Sequence, residues 1–147
     1  MKAKIGGYIA ITIGVAVALG LFGIQNDGEN QIDENTVFHI TLASPENYEN
    51  GVFTDSFQIE EGDYEFDFVP NGDSPKIMTI SLEGDSFSFN EKFDLVGTPH
   101  ETGVSTYFTW DYSGTKKIKI SNQQELEITI NPNGELLGPV SVYIIKA

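Results

Sequence analysis

The chain has 147 residues and no Cys, which excludes a disulfide framework, a thiolate metal site and a Cys nucleophile. Six of its eight Lys and all 22 acidic residues follow Ile24, and Arg is absent, so this part carries a net charge of −16. A surface of that sign repels phosphate backbones and offers no bidentate Arg contact, so we predict that the protein does not bind nucleic acid.

The first predicted element is a transmembrane helix within residues 1–24. Residues 5–24 carry no charge, and at about 1.5 Å per residue such a helix spans about 30 Å, the thickness of the hydrocarbon core of a bilayer. Lys2 and Lys4 precede it, so the positive-inside rule predicts a single-pass cell-membrane protein with a cytoplasmic N-terminus and an extracellular C-terminal domain. The alternative is a signal peptide cleaved near residues 16–18, which would yield a secreted protein, but the long apolar run favours retention.

Small residues recur every four positions along the predicted helix, at Gly6, Ala10, Gly14 and Ala18. Such a stripe allows another helix to approach closely, so it predicts a helix–helix interface. The alternative is that Gly and Ala are simply common in membrane helices.

A flexible linker is predicted at residues 25–35, before a domain at residues 36–147. The linker sequence, QNDGENQIDEN, has one apolar residue and no periodicity, which is typical of a tether. Its acidic residues should keep it extended.

The domain shows alternating apolar and polar residues, rich in Ile, Phe, Val, Thr and Tyr, which predicts β-strands. One segment, residues 140–146, is apolar on both faces, as expected of a central strand. The predicted strands are residues 36–42, 52–59, 64–69, 77–82, 86–95, 104–112, 117–120, 125–130 and 140–146.

Turn sequences separate these strands, at residues 70–73, 83–85, 113–114 and 132–134. Residues 112–115 lie between two strand patterns and predict a hairpin. Eight or nine short strands with such punctuation predict an all-β fold, an antiparallel two-sheet sandwich of jelly-roll or immunoglobulin-like type.

One predicted strand carries the only Trp of the chain. Phe108, Trp110 and Tyr112 share a face, which we predict to be core. The opposite face holds Tyr107 and Asp111, which could instead form an aromatic platform for a glycan or a partner protein.

A cluster of acidic residues follows the second predicted strand. Oxygen-rich loops at the end of a sandwich can hold Ca²⁺, although the glycine and spacing of an EF-hand loop are missing. The alternative is a solvated acidic face, since exposed charges are the norm. No other cofactor is predicted. The candidate ligands are Glu61, Asp63, Glu65, Asp67 and Asp73.

No catalytic motif is present in the sequence. His39 is expected to face outward or toward a sheet edge, and His100 to lie between two strands, with no second His at zincin spacing. Gly84 to Ser88 does not complete a nucleophile elbow. We therefore predict that the protein is not an enzyme, unless His39, His100 and nearby carboxylates share one cleft.

Residues 57–68 and 76–82 resemble the strand–Gly–strand signature of lumenal and extracellular β-sandwiches, of which the GOLD domains of the emp24 cargo-receptor family are an example. The chain departs from that family because it lacks the paired cysteines and has its predicted anchor at the N-terminus. The whole chain is similar to small single-pass archaeal cell-envelope proteins. These resemblances imply a cell-surface sandwich and no site residue.

The leading functional hypothesis is an interaction module, displayed outside the cell as an accessory subunit of a membrane or cell-envelope complex. Its partner would be another protein or a second copy of the chain, bound through the helix or through the sandwich surface. The alternative is a Ca²⁺- or glycan-binding sandwich at the cell surface.

Overall fold

The computed structural model describes residues 34–147, which form one compact unit. Nine strands in this part of the chain form two antiparallel sheets, so the predicted all-β, two-sheet antiparallel fold is confirmed. The only helical segment described is one 3₁₀ turn, Pro45–Asn47. The strands are β1 (Thr36–Leu42), β2 (Phe53–Ile59), β3 (Gly62–Pro70), β4 (Ile77–Glu83), β5 (Ser88–Glu101), β6 (Thr106–Ser113), β7 (Lys117–Ile120), β8 (Gln124–Asn131) and β9 (Val140–Lys146).

The two sheets have four and five strands. The smaller sheet has the order β1-β9-β3-β7, and the larger has the order β2-β8-β4-β5-β6. Strand β9 pairs with β1 on one side and β3 on the other, which confirms the central position predicted from its two apolar faces. Consecutive strands from β1 to β4 alternate between the sheets, so each connection at these points crosses the sandwich.

The core lies between the sheets and is built from alternate residues of each strand. In β3 these are Tyr64, Phe66 and Phe68, all buried, while the acidic residues between them face outward. Phe68 packs edge-on against Phe93 of β5 and Tyr112 of β6, with ring centroids 5.0 and 5.1 Å apart. Burying this apolar area is the main stabilising term, at about 25 cal/mol per Å².

The predicted hairpin at residues 112–115 is wrong. Strand β6 belongs to the five-stranded sheet and β7 to the four-stranded sheet, so the segment between them crosses from one sheet to the other. The Glu91 carboxylate accepts a hydrogen bond from the Thr115 backbone N–H at 2.7 Å, and the Lys116 carbonyl accepts one from Phe66 N–H at 2.9 Å. The chain bends at Gly114, and the polar partners of the next two residues lie on β5 and β3.

Several predictions fall outside the described residues. These are the transmembrane helix at residues 1–24, its stripe of small residues and most of the linker at residues 25–35. Within residues 34–147 there is no helix long and apolar enough to cross a membrane.

Candidate functional site

The end of the β5–β6 hairpin extends beyond the neighbouring strand. The β4–β5 ladder runs from Ser88 to Asp94, with one further bond from Leu95 N–H to the Lys76 carbonyl. From Val96 onward β5 pairs with β6 alone. We call this two-stranded ribbon, residues 96–110, the arm. The predicted end of this strand at residue 95 and the predicted position of His100 between strands are both wrong, because the ladder continues to Glu101.

The tip of the arm is a tight turn. Thr102 N–H donates to the Ser105 carbonyl at 2.9 Å, which leaves Gly103 and Val104 as a two-residue loop. Gly103 has φ +92°, a conformation that side-chain-bearing residues rarely adopt and that type II′ turns require at this position. The Thr102 hydroxyl also donates to the Ser105 carbonyl at 3.0 Å, so the tip satisfies its own polar groups.

The arm exposes large apolar side chains on both of its faces. The exposed fractions are 47% for Val96, 94% for Val104, 53% for Tyr107 and 50% for Phe108. The prediction of a core face at Phe108, Trp110 and Tyr112 is therefore only partly right. Tyr112 is buried, Trp110 is partly buried, and Phe108 lies where the arm has passed the end of the core.

Trp110 is held at the base of the arm between two glycines. A Cβ atom built on Gly97, its cross-strand partner, would lie 2.5 Å from the indole, and one built on Gly72 would lie 3.1 Å from it. Phe108 stacks against the same indole, with ring centroids 5.8 Å apart. The absence of side chains on Gly97 and Gly72 leaves room for the indole of Trp110, the only Trp of the chain. The indole thereby packs the base of the arm against the turn that contains Gly72.

We expect Gly97→Val to displace the indole, because no side chain fits in that gap. Trp110 is the only Trp, so fluorescence reports on this site alone. The emission maximum should move to longer wavelength, with a loss of about 1–3 kcal/mol in stability. Thr98→Val, one residue along the strand on the opposite face, is the matched control. An unchanged emission spectrum in Gly97→Val would show that the indole is not held there.

The outer face of the arm carries a stacked pair. The rings of His100 and Tyr107 stack with centroids 4.9 Å apart, and His100 Nε2 lies 2.9 Å from the Thr109 hydroxyl. Asp111 instead forms an ion pair with Lys116 at 2.9 Å. Tyr107 and Asp111 therefore lie on one face, as predicted, but the side chain that contacts the Tyr107 ring is His100.

The two histidines lie on different sheets. His39 is on β1, where it stacks on Tyr143 of β9 with centroids 4.4 Å apart, and its Nε2 lies 3.3 Å from the Thr41 hydroxyl. His100 is on β5 in the other sheet. His39 faces outward on an edge strand, as predicted, and the fold does not bring the two histidines together.

The predicted Ca²⁺ ligands are spread along β3 and its flanking turns. Asp63, Glu65 and Asp67 point to the same outer face, but alternate residues of a strand lie about 7 Å apart. Asp63 pairs with Lys119 at 3.4 Å. Glu61 precedes the strand, and Asp73 lies in the turn beyond its other end. Within residues 34–147 no three His, Asp or Glu side chains are close enough to hold a metal ion. The Ca²⁺ site stays a prediction.

No family model matches this chain, and no curated protein matches it. The arm is the candidate site because it combines an edge strand, exposed aromatic rings and a two-residue turn.

Proposed function

We propose that this protein is a non-enzymatic interaction module, held at the outside of the cell by its N-terminal segment and acting as an accessory subunit of a membrane or cell-envelope complex. The observation that carries this proposal is the exposure of Val96, Val104, Tyr107 and Phe108 on the arm. These side chains lie on both faces and at the tip of one short ribbon, and aromatic residues are enriched at the centres of protein-binding sites. The uncharged run at residues 5–24 supports the membrane location.

The strand order supports a jelly roll over an immunoglobulin-like fold. If β6 is left out and the other strands are renumbered, the sheets read 1-8-3-6 and 2-7-4-5, the order of an eight-stranded jelly roll. Strand β6 is then an addition to the edge of that frame. Of its eight residues only Tyr112 is buried, so most of the added strand contributes surface and not core. This supports a binding role for the arm.

Purification from native membranes in mild detergent tests the proposal. We expect the wild-type chain to migrate as a complex larger than a monomer. The double variant Tyr107→Ser and Phe108→Ser removes the two exposed rings of the arm and should release the chain as a monomer. Leu137→Ser, which removes an apolar side chain that is 75% exposed in the loop before β9, is the control and should leave the complex intact. A wild-type monomer with nothing bound in every detergent tried would contradict the proposal.

A further inference from the structure

The described part of the chain has four edge strands, β1 and β7 in one sheet and β2 and β6 in the other. An edge strand presents unpaired backbone N–H and C=O groups, to which a strand of another molecule can add. Natural sheets prevent such pairing with bulges, short strands, Lys side chains or charges that point toward the core.

Three of the four edges carry such a feature. The β1 register is broken by an irregularity between Thr36 and Phe38. Strand β7 has four residues, two of which are exposed Lys. Strand β2 places Asp55 on the face that otherwise points toward the core, and its carboxylate accepts the Ser56 N–H at 2.8 Å. Backbone pairing is therefore obstructed along β2 and β7 and at the first residues of β1.

The β6 edge is open over most of its length. It has eight residues in unbroken register with β5, without Lys or Pro. The Asp111 carboxylate accepts the Tyr112 N–H at 2.8 Å, as the Asp55 carboxylate accepts the Ser56 N–H in β2. Asp55 lies in the middle of β2, whereas Asp111 lies near the end of β6. The stretch from Thr106 to Trp110 has no comparable obstruction.

The direction of the backbone groups follows from the ladder. Leu95 N–H points to β4, where it meets the Lys76 carbonyl, so alternate residues from Val96 onward direct their groups to β6. Their partners in register are the odd-numbered residues of β6. The even-numbered residues therefore direct N–H and C=O away from β5, to the free side. In the open stretch these are Thr106, Phe108 and Trp110.

We propose that the β6 edge pairs with the β6 edge of a second copy of this chain, antiparallel and centred on Thr109. This rests on the proposed function, because it specifies the partner of the arm. A twofold interface must be self-complementary. In this register Phe108 lies opposite Trp110 of the other copy, a favourable aromatic pair.

The polar residues of β6 fit the same register. Thr109 lies opposite Thr109 of the second copy, and Thr–Thr pairs across strands are favourable. Asp111, the only charge on β6, lies opposite Tyr107 of the second copy and not opposite itself. It is also neutralised within its own chain by Lys116. No like charges meet across the strand pair, although the chain as a whole carries −14. Pairing should therefore strengthen as salt screens the remaining repulsion.

Disulfide trapping of the full chain in detergent tests this register. The chain has no Cys, so one substitution gives one reactive thiol. In the proposed register Thr109 forms a pair without backbone hydrogen bonds, with Cα atoms about 4.5 Å apart, which a disulfide can span. We expect Thr109→Cys to form a covalent dimer under mild oxidation. Thr54→Cys, exposed on the β2 edge of the same sheet, is the matched control and should stay monomeric.

Two further variants test the contribution of the backbone edge. Phe108→Pro, in the Thr109→Cys chain, removes an N–H on the free side, and edge strands tolerate Pro there. Twofold symmetry removes two hydrogen bonds at once, so the trapped dimer should fall about tenfold. Phe108→Ala, which keeps the N–H, should retain more dimer. If Phe108→Pro fails to fold, Thr109→Lys tests the same point by light scattering, since it places like charges opposite each other.

The outcomes separate this inference from the proposed function. Thr109-specific trapping that rises with salt and falls in Phe108→Pro supports pairing with a second copy. Equal trapping of the Thr54 and Thr109 variants, or trapping that Phe108→Pro leaves unchanged, overturns it. If a complex of the native membranes contains one copy of this chain and needs Tyr107 and Phe108, self-pairing is overturned while the interaction module stands. If the chain is a monomer throughout, both fail.

Discussion

Phe93→Ala should lower the free energy of unfolding by about 3–5 kcal/mol, the usual cost of truncating a buried Phe. The Phe93 ring is fully buried and packs edge-on against two rings of the facing sheet. The centroid distances are 5.7 Å to Phe66 and 5.0 Å to Phe68. The truncation would leave a cavity between rigid aromatic neighbours on two sheets, which cannot easily collapse into it.

Denaturant unfolding, followed by the fluorescence of Trp110, measures this loss. Phe108→Ala is the matched control because it removes the same ring from the neighbouring strand of the same sheet, where it is half exposed. Its cost should stay below about 1 kcal/mol, since little apolar area returns to water and no closed cavity forms. Equal losses in the two variants would mean that the arm is packed against the core, contrary to the structure.

This pair of residues also shows what alternation can and cannot predict. Both Phe93 and Phe108 lie on the face of their strand that points toward the other sheet, and the sequence pattern identifies that face in each case. The pattern does not indicate where the opposing sheet ends. Strand β5 has fourteen residues and β4 has seven, so the same face of the hairpin is core at one end and surface at the other.

The bounds of three strands follow from the sequence pattern. The predicted bounds of β1, β7 and β9 are those observed, and the central position of β9 follows from its two apolar faces. Which strands pair was not predictable. The bend at Gly114 is compatible with either topology, and only long-range partners such as Phe66 of β3, which donates to the Lys116 carbonyl, show that the chain crosses to the other sheet.

The candidate site was predictable in part. Alternation in the sequence predicts that Tyr107 lies on the face opposite Phe108, and Asp55 interrupts the apolar face of residues 52–59. The role of that carboxylate could not be predicted, because it depends on β2 being an edge strand. The arm itself left one sequence signal, the Gly103-Val104 pair between two polar residues. A two-residue turn of this kind is easily missed when Pro99 interrupts the preceding strand pattern.

Tyr112→Phe should also destabilise the protein, by about 1–3 kcal/mol. The buried Tyr112 hydroxyl donates to the Pro75 carbonyl at 2.7 Å, and its removal leaves that carbonyl without this bond at a buried position. Tyr48→Phe is the matched control. Its hydroxyl oxygen is the only buried side-chain polar atom in residues 34–147 without a hydrogen-bond partner, so removing it should be neutral or stabilising.

The stability difference between Tyr112→Phe and the wild-type protein should also change at alkaline pH. Burial raises the pKa of Tyr112 well above its usual value, and the nearby Tyr48 and Glu135 charges act in the same direction. Because the pKa of the folded state is the higher one, the unfolded chain loses the proton first as the pH rises. The contribution of Tyr112 to stability is then complete below about pH 10 and declines above it. Tyr48, whose pKa burial also raises, behaves in the same sense.

Denaturant unfolding at about pH 8 and about pH 11 measures this dependence. The deficit of Tyr112→Phe relative to wild type should shrink at the higher pH, because the wild-type protein then pays to keep this hydroxyl protonated while the variant does not. Deprotonation of the Lys side chains affects both proteins and cancels in the difference. If the deficit is the same at both pH values, the Tyr112 hydroxyl does not sit in the closed environment between β6 and residues 74–75, and this end of the sandwich is open to water.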